Sequence, residues 1–108
     1  MRQGIIITST ETVPGQEIAG VIGIARGNTI RARHVGTDIV AGLRNLVGGE
    51  VSEYTKLMAE AREQATDRMR EDAASMGADA VVCVRFSTSM IAQGAAEILA
   101  YGTAVKLR

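Results

Sequence analysis

Cysteine is nearly absent. Cys83 stands alone among 108 residues, so a disulfide within the chain is excluded, which fits a reducing cytoplasm. Aromatic side chains are scarce as well: Tyr54, Phe86 and Tyr101, with no tryptophan, leave little to stack nucleic-acid bases. Net charge is missing, with 12 basic residues against 12 acidic, whereas phosphate backbones are held by clustered positive charge. Nucleic acid is therefore not an expected partner. No apolar run approaches the roughly 20 residues of a membrane helix. The N-terminal residues carry Arg2 but no apolar segment of the kind a signal peptide has. No linker, repeat or low-complexity tract divides the chain, and its length suits one domain over residues 1–108. The expectation is a soluble, cytoplasmic single domain. A chain of this size buries about two-thirds of the surface it exposes when unfolded, which leaves little room for a deep private cavity.

What is present begins with strands. Ile5-Ile6-Ile7-Thr8-Ser9-Thr10 is a β-branched run closed by the turn pair Pro14-Gly15. Residues 17–25 and 29–34 read as two further strands, with Gly27-Asn28 as a hairpin turn between them. Thr37 or Asp38 can cap a short helix reaching about Leu46, with Ile39, Val40, Leu43, Leu46 and Val47 at helical spacing. Gly48-Gly49 ends it. Residues 52–76 form the clearest element, a long helix with Tyr54, Leu57, Met58, Ala61, Ala65, Met69, Ala73 and Met76 on one stripe. The opposite face carries Lys56, Glu60, Glu63, Asp67, Arg70 and Glu71, and Gly77 stands where a C-cap glycine belongs. Alanine on the buried stripe lets this helix approach a sheet closely. Residues 79–90 and 95–107 close the chain as strands. Strands before and after a helical pair imply an α+β domain with a mostly antiparallel sheet packed against one long helix plus a short one.

Alternation along those strands separates two faces. In residues 79–90, Ala80, Val82, Val84, Phe86 and Met90 are expected on a core face, opposite Val81, Cys83, Arg85, Ser87 and Ser89. Residues 17–25 place Ile18, Ile22 and Ile24 against Ala19, Val21 and Ala25. Both faces are thus partly apolar, and one long helix covers only one of them. The plainer alternative is that the short first helix covers part of the other; copies of the same chain are the expected cover.

Several ordered motifs resemble the YbjQ-like family of uncharacterised proteins labelled "putative heavy-metal-binding". They are Ala41-Gly42-Leu43-Arg44-Asn45-Leu46-Val47-Gly48-Gly49-Glu50, Tyr54, Ala61-Arg62, Met76-Gly77-Ala78-Asp79-Ala80-Val81-Val82 and Gly102-Thr103-Ala104-Val105. The similarity covers nearly the whole chain, more loosely before about Gly20. It implies a small dodecin-subunit-like α/β domain assembled as a ring, a homopentamer, with no established reaction. Members of the family usually carry glycine at the position of Cys83.

Candidate sites follow from residue chemistry. A single cysteine and a single histidine, 49 positions apart, lack the close-spaced ligand pairs of structural zinc sites. A divalent or heavy-metal ion would need Cys83 and His34 from several copies around an axis, with Glu50 or Glu53 assisting. The alternative for Cys83 is a small buried hydrophobe. Arg31, Arg33 and His34 precede the first helix and Arg44 lies on it, an arrangement suited to a carboxylate or phosphate. Arg26 and Arg85 add charge where strands of different copies meet. The plainer reading makes Arg31 and Arg33 solvated residues of an edge strand. Leu46-Val47-Gly48-Gly49-Glu50 lacks the Lys-Ser/Thr sequel of a P-loop and reads as a tight turn. The leading function is a homo-oligomeric binding or assembly module with Arg31, Arg33, His34, Arg44, Glu50 and Tyr54 lining a small-molecule site between copies. A shared metal site and a small enzyme of unassigned reaction are the alternatives; no hydrolase or redox signature accompanies Cys83 and His34.

Overall fold

The computed structural model describes residues 4–32, 52–92 and 95–108. Its elements are β1 (Ile6–Ile7), β2 (Ile18–Ala32), α1 (Ser52–Ser75), β3 (Ala80–Ala92) and β4 (Ala95–Leu107). The strands form one four-stranded sheet in the order β1-β3-β4-β2. β4 pairs antiparallel with both β2 and β3, and β1 pairs parallel with β3. The fold is α+β with a mostly antiparallel sheet, as the sequence implies. The short helix expected over residues 37–46 and the Gly48-Gly49 turn lie outside the described residues.

α1 follows its alanine stripe. Ala61, Ala65, Met69 and Ala73 are buried, four residues apart, while Lys56, Glu60, Glu63, Asp67 and Glu71 face water. The helix ends in a Schellman motif: the Ala78 N–H donates to the Ala73 carbonyl at 3.1 Å and the Gly77 N–H to the Ala74 carbonyl at 3.0 Å. Gly77 has a φ of 82°, left-handed backbone that glycine adopts without steric penalty. Small side chains let the helix settle close to β2. The closest approach is at Gly27, where a Cβ would fall against the backbone of Ala65 and Met69 and 2.7 Å from the Arg68 carbonyl carbon.

That approach corrects the sequence reading of Gly27-Asn28. β2 runs unbroken through both residues, Gly27 opposite Ala100 and Asn28 opposite Leu99 on β4. Gly27 is required by the crossing of the helix and not by a turn. The N-terminal strand is also shorter than the β-branched run suggests. Thr8 accepts the Thr10 N–H on its Oγ1 at 3.2 Å, and the Thr10 hydroxyl donates to the Thr12 carbonyl at 2.6 Å. Such local bonds compete with a ladder and end β1 at Ile7.

The core has two parts. Ala25, Ala61, Ala65, Met69, Ala73, Val81, Val84, Ile98, Ala100 and Ala104 lie between sheet and helix. Val13, Ala80, Val82 and Val105 form a smaller cluster on the other face, under the segment that leads to the Pro14-Gly15 turn. Val82 and Val84 therefore sit on opposite faces, contrary to simple alternation. The cause is an irregularity between Val82 and Arg85 in the β3–β4 register, centred on Cys83, whose φ is 56°. One residue in left-handed backbone shifts every later side chain to the other face. Met90, expected in the core, is exposed.

Candidate functional site

The register places side chains in rows, because directly opposite residues of antiparallel strands share a face. Gly27–Ala100–Phe86, Thr29–Ile98–Thr88 and Arg31–Ala96–Met90 make the face toward α1. Helix α1 lies over the β2 and β4 members of these rows, and Phe86 and Met90 at the β3 end stay exposed. Arg26–Tyr101–Arg85 and Asn28–Leu99–Ser87 make the opposite face.

The polar groups of β2 meet α1 along its outer edge. The Arg26 N–H donates to Asp72 Oδ2 at 3.0 Å, and Arg68 Nη1 donates to the Asn28 carbonyl at 2.6 Å. Asp72 and Arg68 stand four residues apart on the helix and together close the backbone of β2 at its middle. Arg68 Nη1 also lies 3.4 Å from the Oγ1 of Thr29, a buried polar residue of the sheet. Arg31 is half-buried; its Nη2 donates to Gln64 Oε1 at 3.1 Å, and its Nε is enclosed with no hydrogen-bond partner among the described residues. An enclosed guanidinium nitrogen favours an acceptor, by preference an anionic one.

On the opposite face Arg26 and Arg85 flank Tyr101, their backbones about 10 Å apart across two interstrand spacings. Arg85 is held in place, its Nη1 donating to the Ser9 carbonyl at 3.0 Å and the Val84 carbonyl at 2.8 Å. This row offers two positive charges on either side of a phenol. The sequence flags both arginines but not Tyr101, because only the register reveals that the three are neighbours.

Cys83 is half-buried against the cluster of Val13, Ala80, Val82 and Val105, and its backbone N–H donates to the Thr10 carbonyl at 3.0 Å. Its φ of 56° is left-handed backbone that glycine would adopt without steric penalty. No group of three or more His, Cys, Asp or Glu suited to a metal occurs among the described residues. Arg33, His34, Arg44 and Glu50 lie outside the described residues; Tyr54 falls in α1, with its side chain outside them. The structure thus separates Arg31, on the α1 face, from Arg26 and Arg85, on the other.

A third polar cluster pins the chain end. Asp79 Oδ2 accepts the Leu107 N–H at 2.9 Å, with Lys106 Nζ 3.3 Å away. The backbone hydrogen bond from Leu107, outweighing burial and aided by Lys106, holds the Asp79 carboxyl below its ordinary range. This cluster is a clasp between β3 and β4.

The fold and its polar rows define a small α+β domain of one long helix on a mixed four-stranded sheet. Residues 5–108 match the family model described as "Putative heavy-metal-binding", and the chain belongs to that family, YbjQ. A UPF0145 protein of Archaeoglobus fulgidus is 59% identical over 108 residues, covering 100% of both chains. One from Methanosarcina acetivorans is 62% identical over 103 residues, covering 95% of this chain and 97% of its own. One from Vibrio campbellii is 55% identical over 103 residues, covering 95% and 99%. Among solved structures, a Pediococcus pentosaceus protein of unknown function, described as a member of the DUF74 family, superposes with a TM-score of 0.71. It is 14% identical and covers 98% of this chain and 100% of its own. That likeness concerns the fold alone. No helix among the described residues is long and apolar enough to cross a membrane.

Proposed function

We propose that this chain is one subunit of a homo-oligomeric ring that works as a binding or assembly module, with ligand sites between copies. One observation carries the reading. Val21, Ile24, Met90 and Ile91 are 70%, 58%, 67% and 51% exposed in the single chain, and large apolar side chains grouped on a small domain mark an interaction surface. The family resemblance supports five copies. The site chemistry supports an anionic small molecule as ligand: Arg26 and Arg85 flank Tyr101, and Arg31 Nε has no partner among the described residues. In this reading Arg33, His34, Arg44, Glu50 and Tyr54 complete the lining. The assembly acts in the cytoplasm, with neither nucleic acid nor membrane as partner.

The second reading, a metal ion shared between copies by Cys83 and His34, is supported by the family description. Native mass spectrometry of the untagged protein tests both. A discrete oligomer is expected, and a monomer at micromolar concentration would sink the proposal. The mass of any retained adduct separates an organic anion from a metal.

A further inference from the structure

The geometry points to how copies meet: the outer edge of β2 at residues 18–24 in one copy pairs with the outer edge of β3 at residues 86–92 in the next. This inference rests on the reading that copies of the chain associate, and it names the surfaces.

Among the described residues each edge is occupied along only part of its length. β1 pairs with β3 at Ala80 and Val81, and the N–H groups of Cys83 and Val84 donate to the carbonyls of Thr10 and Thr8. The last attachment of this N-terminal segment is the Arg85 guanidinium on the Ser9 carbonyl. Among the described residues no strand lies along residues 86–92 on the side away from β4. On the other side of the sheet, Asp72 and Arg68 close the β2 edge at Arg26 and Asn28. No strand among the described residues lies along residues 18–24 on the side away from β4.

The two open segments match. Both are seven residues long, and neither contains a charged residue, in a chain that is 22% charged. Edges that remain in water are commonly guarded by charge or proline. These carry Val21, Ile22 and Ile24 on one segment and Phe86, Met90 and Ile91 on the other, all exposed. An unguarded apolar edge in a native protein fits a covered edge.

They also sit at diagonal corners. Val21 and Ile24 lie level with Val105 and Thr103 of β4, whereas Phe86 and Met90 lie level with Ala100 and Ala96. Pairing like with like would need two different contacts to cover both corners. Pairing one corner with the other covers both by a single repeated head-to-tail contact, the kind that forms a ring when the rotation between copies closes. β2 and β3 both run opposite to β4, so neighbours in the same orientation join them in parallel, staggered by about half a strand. The two irregularities in β2, between Ile18 and Gly20 and between Val21 and Gly23, bend this edge. A bend turns the next sheet relative to the first, as closure demands.

The test uses the full chain with Cys83→Gly as a thiol-free background. Val21→Cys and Met90→Cys are made singly and together, and native mass spectrometry precedes treatment with a bifunctional maleimide. The double variant is expected to give a covalent ladder up to the native subunit number, each single variant to stay monomeric on a denaturing gel, and a mixture of the singles to give dimers only. Cross-linked dimers from either single variant would overturn the head-to-tail pairing. So would an intact oligomer that the double variant fails to cross-link, with self-association itself still standing. A monomer before any cross-linking would instead remove self-association. Val21→Lys and Met90→Lys provide a second readout, each expected to release monomers with an unchanged far-UV spectrum; an undisturbed oligomer in both overturns the proposal.

Discussion

The sheet beneath α1 and the sheet at its two open corners follow opposite rules. Under the helix the side chains are small, the packing is close and even the strand edge is closed by Asp72 and Arg68. At residues 18–24 and 86–92, Val21, Ile22, Ile24, Phe86, Met90 and Ile91 are large, apolar and exposed. The first region completes itself within one chain. The second is built as though its partner were elsewhere. Burial alone does not separate them in sequence, since both are rich in Ala, Val and Ile; what differs is whether a helix reaches them.

Substitutions of one kind, placed in both regions, sharpen that contrast. Gly27→Ala drives a methyl group into the α1 backbone and is expected to cost about 3 kcal/mol or more. Gly20→Ala, with nothing within 4 Å, should change subunit stability by less than about 1 kcal/mol. Urea unfolding of both variants checks this, and equal losses would break the comparison. Met69→Ala should cost about 2–4 kcal/mol, as a fully buried methionine leaves a cavity. Met90→Ala should leave the subunit within about 0.5 kcal/mol of wild type, its effect appearing in subunit count by native mass spectrometry.

Smaller effects probe the joints between the regions. Asp72→Ala removes the acceptor of the Arg26 N–H and is expected to cost about 1 kcal/mol. Cys83→Gly relieves left-handed backbone worth about 1 kcal/mol, partly offset by loss of the half-buried thiol; Cys83→Val should lower the melting temperature instead. The weakest effect is acid sensitivity at Asp79. Its folded pKa lies below its unfolded value, so its contribution is present above the unfolded pKa of about 3.9 and is lost as pH falls through the folded one. Melting temperature against pH should be flatter below about pH 4 for Asp79→Asn than for wild type; parallel curves would remove Asp79 from the acid response.

Much of the fold was legible. The long helix is legible because Ala61, Ala65, Met69 and Ala73 recur every fourth residue, and its stop because Gly77 permits left-handed backbone. The last strand is legible over Ala95–Leu107. Gly27 misleads because glycine serves turns and close approaches alike, and local sequence does not say which. Cys83 misleads because a bulge at a non-glycine residue gives no local signal, yet it re-aims Val84, Phe86 and Met90 together. Of the candidate site, Arg31 is seen to bind Gln64, and the Arg26–Tyr101–Arg85 row emerges from register between distant strands.

The sequence by itself determined the long helix and the two closing strands, because helix periodicity, caps and β-branched runs are local and act within a few residues, and its ordered motifs carried the family resemblance. It determined as well that apolar residues exceed what one helix covers. The tertiary structure alone decided which side chains share a face, which backbone edges are closed and which corners stay open. Those properties depend on strand order and register, which are set by contacts between residues dozens of positions apart and shift for a whole strand when a single residue bulges.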